Sequence, residues 1–187
     1  MGKDVKKPYS VGYFSSYDRG LECLLDMWPK IKEQVPEATL DIYYGWDSFD
    51  NVHRTNPEMM KWKWVMIRKM NQPGVKEHGR VDHKTLADKM KEIQVWAYPT
   101  LFTEISCITA LKTAEAGMHQ VTTGVAALAE TAQNGTVVAC EDIYTNTEKQ
   151  QEFIDAVVTA LKDPQPSKQV DGVYWSDVAK KWHEAMV

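Results

Sequence analysis

The chain has 187 residues, of which 43% are hydrophobic and 26% are charged, a composition ordinary for a globular protein. This length is enough for one compact domain with its own core. The net charge of −4 argues against broad electrostatic binding to nucleic acid. No apolar run approaches the roughly 20 residues that span a bilayer, and the first residues, MGKDVKKPYS, lack the apolar stretch of a signal peptide. We therefore expect a cytoplasmic protein without a membrane span.

Short apolar runs predict six β-strands that alternate with helices along the chain. The predicted strands cover residues 9–14, 39–44, 75–78, 94–98, 120–122 and 136–139. Alternation of this kind is typical of a parallel sheet with right-handed crossovers. We therefore predict an α/β fold, a doubly wound, Rossmann-like parallel sheet of about six strands. Residues 9–187 are expected to form this one domain, and residues 1–8 to be a linker or an artificial start.

Apolar residues recur at helical spacing between these strands. The predicted helices cover residues 20–34, 57–71, 83–92, 106–117, 125–131, 147–161 and 176–186. Pro29 lies inside the first helix and is expected to kink or split it, because proline cannot donate the backbone hydrogen bond. Asp82 is expected to cap the third helix. The helix 57–71 carries a stripe of Met and Trp, for which packing is favoured over ligand binding, since Met fills irregular gaps.

The three cysteines, Cys23, Cys107 and Cys140, are far apart and lack CxxC spacing, which argues against a disulfide framework or a zinc site. Cys23 and Cys140 are expected to pack as small apolar side chains. Cys107 lies near the predicted start of a helix, where the pKa of a thiol can fall. A catalytic thiol is nevertheless disfavoured, because it needs a base and no His lies nearby in sequence. The histidines show no metal-like spacing, so no metal site is expected.

The segment YPTLFTEISCITALKTAEAG, residues 98–117, carries the strongest functional signal. A predicted strand ends there at Pro99, a polar loop with Thr103 and Glu104 follows, and a helix begins near Ser106. A carboxylate and the free N–H groups of a helix N-terminus thus meet at the sheet edge where open α/β sheets bind ligands. Such N–H groups favour an anion such as a phosphate. An ordinary strand–loop–helix connection is the alternative.

The first strand–helix turn reads SSYDRG and matches neither GxGxxG nor the P-loop. Ser15 and Ser16 offer two hydroxyls, and Arg19 offers a guanidinium, which binds phosphate with forked geometry. In the alternative interpretation, Asp18 and Ser16 cap the helix while Arg19 is solvated.

Together, SSYDRGLECLL, IYYG, GRV, YPTLFTEISCITALKTAEAG and VTTGVAALAET resemble the C-terminal domain of group 1 glycosyltransferases, retaining enzymes of the GT-B fold. The resemblance extends over about residues 9–185 and implies a single GT-B half-domain that binds a nucleotide diphosphate sugar. It implies no cofactor and no bound metal. A GT-B enzyme also has an N-terminal domain that supplies most of the acceptor site, so we expect that domain as partner in a longer enzyme. The isolated chain is then expected to be inactive in transfer.

The resemblance also implies roles for individual residues. Arg19, just before Gly20, matches the basic residue that grips the diphosphate, and Glu104 matches the first carboxylate of an E-x7-E motif, near the donor sugar. These two are the expected catalytic residues, with electrostatic stabilisation of the departing diphosphate by Arg19 and by N–H groups near residues 105–107. The expected donor-binding residues are Ser15, Ser16, Arg19, Gly79, Arg80, Val81, Thr103, Ile105, Ser106, Cys107, Lys112 and Gly124.

One position departs from the motif. The residue eight after Glu104 is Lys112, where the family has a second Glu that accepts hydrogen bonds from the ribose hydroxyls. An ammonium has hydrogen-bond donors and no acceptor, so Lys112 either contacts phosphate or is solvated. In a third interpretation, Glu115 takes over the recognition of the ribose. The departure motivates an alternative function, a non-catalytic nucleotide-binding or assembly module of the same fold. Another Rossmann-like enzyme, such as a dehydrogenase, is disfavoured by the absent glycine fingerprint.

Overall fold

The computed structural model describes residues 6–186 and contains one six-stranded sheet in the order β3-β2-β1-β4-β5-β6. Every pairing between neighbouring strands is parallel. The strands are β1 Lys7–Tyr13, β2 Thr39–Ile42, β3 Val75–Glu77, β4 Ile93–Tyr98, β5 His119–Thr122 and β6 Thr136–Val137. The predicted doubly wound α/β fold is thereby confirmed. The strand order reverses between β1 and β4, which is the switch point where ligands bind in such sheets.

Eight helices lie between and after the strands in the described part of the chain. They are α1 Leu21–Gln34, α2 Asp47–His53, α3 Pro57–Met70, α4 His83–Glu92, α5 Ile108–Glu115, α6 Leu128–Thr131, α7 Thr147–Lys162 and α8 Trp175–Met186. Helix α1 contacts both α3 and α7, whereas α4 contacts β4 and α5 contacts β5. Right-handed crossovers that run in opposite directions from the switch point place α1 and α3 on one face of the sheet and α4 and α5 on the other.

Helix α1 is continuous across Pro29, so the predicted split does not occur. Proline removes the N–H that would bond to the carbonyl oxygen four residues earlier, that of Leu25. The side-chain nitrogen Nε2 of Gln72 donates to this oxygen at 3.0 Å. A side chain that follows α3 therefore satisfies the carbonyl that the proline leaves unpaired, and the helix continues.

Two further differences concern helix positions. Helix α2 occupies residues for which the sequence predicted neither a helix nor a strand, and none of its residues is buried. The helix expected from Ser106 begins at Ile108, with Cys107 as its N-cap residue. Asp82 caps α4 as predicted, because its side chain accepts hydrogen bonds from the backbone nitrogens of Lys84 and Thr85. Residues 1–5 and 187 lie outside the described residues, so the boundary between a linker and a domain at residue 9 stays a prediction.

The core is continuous across the sheet and its two helical layers. Trp28, Trp96, Tyr13 and Tyr98 are among the largest fully buried side chains. The Met and Trp stripe of α3 is partly used in packing, since Met66 is fully buried while Trp64 is 61% exposed. None of the helices within residues 6–186 has the length and apolar character needed to cross a membrane.

Candidate functional site

The turn between β1 and α1 fixes the position of Arg19. The carbonyl oxygen of Ser16 accepts hydrogen bonds from the backbone nitrogen of Arg19 at 3.0 Å and from the Tyr13 hydroxyl at 2.8 Å. Gly20 has a φ of +109°, and a Cβ there would lie 2.2 Å from the carbonyl oxygen of Pro99. Only glycine fits this contact. The turn is therefore held directly against the end of β4.

Arg19 and Glu104 meet at this edge of the sheet, as the sequence predicts. Nη1 of Arg19 lies 3.5 Å from Oε1 of Glu104, and the side chains are 35% and 14% exposed. The Tyr98 hydroxyl donates to the same Oε1 at 3.0 Å. The guanidinium carbon of Arg19 lies 3.8 Å from the centre of the Phe102 ring, a cation–π contact. Tyr98 and Phe102 were not among the predicted site residues, although both lie in the segment 98–117.

Ser15 joins this group through Tyr98. Burial raises the pKa of Tyr98 well above its ordinary value, and hydrogen bonds with Ser15 and Thr100 act in the opposite direction. Tyr98 is therefore a neutral phenol that donates to Glu104, with the buried Ser15 side chain beside it. Ser16 contributes to the turn through its backbone carbonyl oxygen.

The loop after β4 differs from the sequence expectation. Thr103, Ile105 and Ser106 are exposed, and Ile105 is 98% exposed. Because α5 begins at Ile108 with Cys107 as its N-cap residue, the N–H groups without an intrahelical acceptor are those of residues 107–110. The predicted range 105–107 overlaps this set only at Cys107.

Cys107 is buried, with 3% of its surface exposed. Burial raises the pKa of its thiol to about 11, although hydrogen bonds from the backbone N–H groups of Ala110 and Thr109 and the charge of Arg19 act to lower it. The thiol is thus protonated near neutral pH. The suggestion that its pKa falls at the start of the helix is wrong, because desolvation outweighs the helix N-terminus here.

A cavity of about 470 Å³, here called the strand-end cavity, opens beyond the C-terminal ends of β1 and β2. Phe14, Tyr43 and Tyr44 form its aromatic wall. The apolar side chains of Leu86 and Met90 from α4 continue this wall. The remaining lining residues, which include three of the predicted site residues, are Arg80, Val81, Asp82, His83, Ile108, Thr109 and Lys112.

Two rings of the aromatic wall are stacked on each other, and the ring of His78 extends the stack. The rings of Phe14 and Tyr43 are stacked with centres 5.7 Å apart, and those of Tyr43 and His78 are nearly parallel at 4.4 Å. His78 is anchored by Asp41, with 2.7 Å between Nε2 and Oδ1. Burial raises the pKa of Tyr43 to about 12, and the charge of Asp41 acts in the same direction. Phe14 and Tyr43 are nearly buried, so the exposed aromatic surface of the wall comes mainly from Tyr44, which is 37% exposed.

Glycines bring the loops after β2 and β3 together at one end of the cavity. The Tyr17 hydroxyl donates to Oε1 of Glu77 at 2.6 Å and accepts from the Gly45 nitrogen at 2.9 Å. The Gly79 nitrogen donates to the same Oε1 at 2.9 Å. A Cβ on Gly45 would lie 2.8 Å from the Arg80 nitrogen, and Gly79 has a φ of +70°. The loop that carries Gly79, Arg80 and Val81 is therefore fixed by side chains that the sequence did not indicate.

Lys112 borders the strand-end cavity and also a neighbouring groove of about 310 Å³ between α4 and α5. We call this second space the α4–α5 groove. It shares His83, Leu86 and Met90 with the cavity, and Glu115 borders it one turn beyond Lys112. Oε2 of Glu115 accepts a hydrogen bond from the Tyr174 hydroxyl at 2.8 Å.

Gly124 follows β5 and has a φ of +67°. A Cβ at this position would lie 2.5 Å from Cγ1 of Val137, so the loop approaches β6 closely. Gly124 borders neither the strand-end cavity nor the α4–α5 groove. Among residues 6–186, no three His, Cys, Asp or Glu side chains are grouped as metal ligands.

A family model described as glycosyl transferases group 1 matches residues 7–163. The chain belongs to this family. The matched range includes the Arg19–Glu104 pair and every residue that lines the strand-end cavity. It ends before α8. No curated protein matches the sequence at a significant level.

Solved structures share the fold with this group 1 glycosyltransferase domain. The pneumococcal O-GlcNAc transferase GtfA, in complex with UDP and GlcNAc, is similar with a TM-score of 0.70 and 14% identity, over 97% of this chain and 36% of that one. HepE from Anabaena, in complex with UDP and glucose, gives 0.61 and 14%, over 96% and 48%. Sucrose-phosphate synthase from Thermosynechococcus elongatus gives 0.57 and 15%, over 100% and 46%. The chain thus spans less than half the length of these proteins, consistent with a half-domain.

Proposed function

We propose that this chain is the donor-binding domain of a retaining glycosyltransferase and that its ligand is a nucleotide diphosphate sugar. Membership of the family supports the proposal, as does the fold shared with GtfA and HepE, whose structures contain UDP. The observation that carries it is the meeting of Arg19 and Glu104 at the switch point of the sheet. The strand-end cavity, whose lining includes neither residue, opens at the same C-terminal edge of the sheet. Positive charge for the phosphates and an aromatic wall for a base thus lie at one edge of the sheet.

In this proposal, the nucleobase enters the strand-end cavity against the aromatic wall of Phe14, Tyr43 and Tyr44, beside the loop of Gly79–Val81. The diphosphate lies towards Arg19 and the first turn of α5, whose N–H groups carry partial positive charge. Arg19 stabilises the negative charge that grows on the departing diphosphate. The sugar lies near Glu104. Contacts of the donor with Ser15, Ser16, Thr103, Ile105, Ser106, Cys107 and Gly124 remain predictions.

The acceptor site belongs, in this proposal, to an N-terminal domain of a longer enzyme. The chain spans 36% of GtfA and 48% of HepE, so its own chemistry is proposed to be donor binding without efficient transfer. Nucleotide release coupled to glycosylation of an acceptor by this chain alone would contradict that part. A cytoplasmic location and nucleotide binding without a metal are further parts of the proposal.

Substitution of Arg19 by Ala tests the role of the guanidinium. We expect the dissociation constant for UDP or GDP to rise at least about tenfold, since hydrogen bonds to charged groups are worth roughly 1.5–3 kcal/mol. Arg54→Ala is the matched control, because it removes the same charge from the exposed C-terminal end of α2. Calorimetric titration measures both variants. An unchanged constant for Arg19→Ala, or an equal loss in the control, would remove Arg19 from the site.

A second candidate function is a non-catalytic nucleotide-binding or assembly module. It is favoured by one observation, the ammonium of Lys112 at the position where the family motif has a second carboxylate. Titration separates the two functions, because a donor domain binds a nucleotide sugar through the sugar as well as the nucleotide. A module that binds the bare nucleotide and rejects every nucleotide sugar would support the second candidate.

A further inference from the structure

Lys112 is the feature that the proposed function leaves unexplained. It lies on α5, is exposed, and borders both the strand-end cavity and the α4–α5 groove. Arg80 and His83 border the same cavity. Arg80 and Lys112 carry hydrogen-bond donors and no acceptors. The polar part of the cavity wall is therefore rich in cationic donors.

The carboxylates that border the two spaces belong to exposed residues. Among residues 6–186, the carboxylates that border them are Asp82 and Glu115. Oδ1 of Asp82 accepts from the backbone nitrogens of Lys84 and Thr85, and Oδ2 accepts from the Thr85 hydroxyl at 2.6 Å. Oε2 of Glu115 accepts from Tyr174. Asp82 thus caps a helix and Glu115 contacts the C-terminal segment, and neither is a buried acceptor reserved for a pentose hydroxyl.

The absence of a buried carboxylate acceptor among the described residues that border these two spaces affects whether the site distinguishes a ribose from a deoxyribose. A site whose acceptor is built to bond a substrate hydroxyl rejects the analogue without that hydroxyl by about 10⁴-fold or more, because the acceptor is left unpaired. An ammonium at the cavity mouth is not left unpaired in this way, because it bonds equally to water or to a phosphate oxygen. Loss of a pentose hydroxyl therefore leaves no buried acceptor unsatisfied.

We propose that the strand-end cavity takes 2′-deoxynucleoside diphosphates, and their sugar conjugates, as readily as the corresponding ribonucleotides. The inference rests on the proposed function and specifies its donor class. Recognition comes from the aromatic wall, chiefly the exposed Tyr44, and from the positive charges of Arg80 and Lys112. The pentose hydroxyls contribute little to the binding free energy. Lys112 is the specificity-determining residue, because it stands at the position where a carboxylate would accept hydrogen bonds from these hydroxyls.

The test is a calorimetric comparison of uridine diphosphate with 2′-deoxyuridine diphosphate. For the unaltered chain we expect dissociation constants within about threefold of each other, because no acceptor is stranded. Lys112→Glu installs an acceptor, and we expect it to favour the ribonucleotide by at least about tenfold, because its carboxylate gains a charge-assisted hydrogen bond from the ribose hydroxyl that the deoxynucleotide lacks. Weaker phosphate binding in this variant affects both ligands, so the ratio of the two constants is the readout.

Lys112→Leu and Glu115→Gln are the controls. Lys112→Leu removes the charge without adding a hydrogen-bond acceptor, so it should leave the ratio near that of the unaltered chain and separates charge loss from the new carboxylate. If Glu115 reads the ribose, the unaltered chain should prefer the ribonucleotide and Glu115→Gln should abolish that preference. A tenfold or greater preference for the ribonucleotide in the unaltered chain overturns the inference while leaving the proposed function intact. Failure of a folded chain to bind either nucleotide overturns both.

Discussion

Gly20→Ala probes the contact that places Arg19 beside Glu104. A non-glycine residue in left-handed backbone is strained by about 1–2 kcal/mol, and the φ of Gly20 is +109°. The new Cβ would also lie 2.2 Å from the carbonyl oxygen and 2.9 Å from the carbonyl carbon of Pro99. Forced overlap of this kind adds about 1–3 kcal/mol as the backbone shifts. We therefore expect a loss of roughly 2–5 kcal/mol in the free energy of unfolding.

Gly117→Ala is a matched control for this substitution. Gly117 also has a positive φ, +66°, but the nearest atom to a Cβ there is Cε of Lys6 at 3.9 Å. The control therefore carries the backbone strain of about 1–2 kcal/mol without the overlap. The difference between the two variants isolates the contact with Pro99.

Thermal unfolding followed by circular dichroism measures both changes. At roughly 2–4 °C per kcal/mol for a domain of this size, Gly20→Ala should lower the midpoint by about 4–20 °C. Gly117→Ala should lower it by about 2–8 °C on the same scale. Equal midpoints for the two variants, or an unchanged midpoint for Gly20→Ala, would refute the close contact of the turn with the end of β4.

Two other predictions concern charge and pH. Glu104→Gln releases Arg19 from a partly exposed ion pair worth up to about 1 kcal/mol, so UDP should bind as tightly or up to about fivefold more tightly. Weaker binding in a titration would contradict the idea that Glu104 competes with the phosphates for Arg19. Burial lowers the pKa of His119, whose Nδ1 accepts from the Gln165 nitrogen at 3.0 Å. The stability from the neutral ring is therefore present above about pH 6.5 and lost as the pH falls towards the lowered folded pKa. Denaturant titrations from pH 7 to 5 should show a steeper loss for the unaltered chain than for His119→Gln, and equal slopes would contradict this.

The order of strands and helices could be predicted because it depends on local patterns. The spacing of Phe153, Val157 and Leu161 predicts the buried face of α7, and these three side chains are buried. The continuity of α1 could not be predicted in this way. It depends on Gln72, which is distant from Leu25 in sequence and reaches it only because α3 packs on α1.

The candidate site likewise contains residues that the sequence predicts and partners that it does not. Arg19 and Glu104 each follow a strand at the same sheet edge, so topology alone predicts their proximity. The partners that hold them were not predicted, because their contacts depend on side-chain directions: the Tyr98 hydroxyl reaches Glu104 from the end of β4, and the Phe102 ring reaches Arg19 from the loop that follows. Cys107 shows the limit of local reasoning, since its neighbours in sequence suggest a helix N-terminus while its burial decides its pKa.

The most direct test of the central claim is calorimetric titration of this chain with UDP, GDP and ADP, each with and without Mg²⁺. The account predicts that at least one of the three binds at a single site with a dissociation constant that does not change when Mg²⁺ is removed. A folded chain that binds none of them, or that binds only when Mg²⁺ is present, would contradict it.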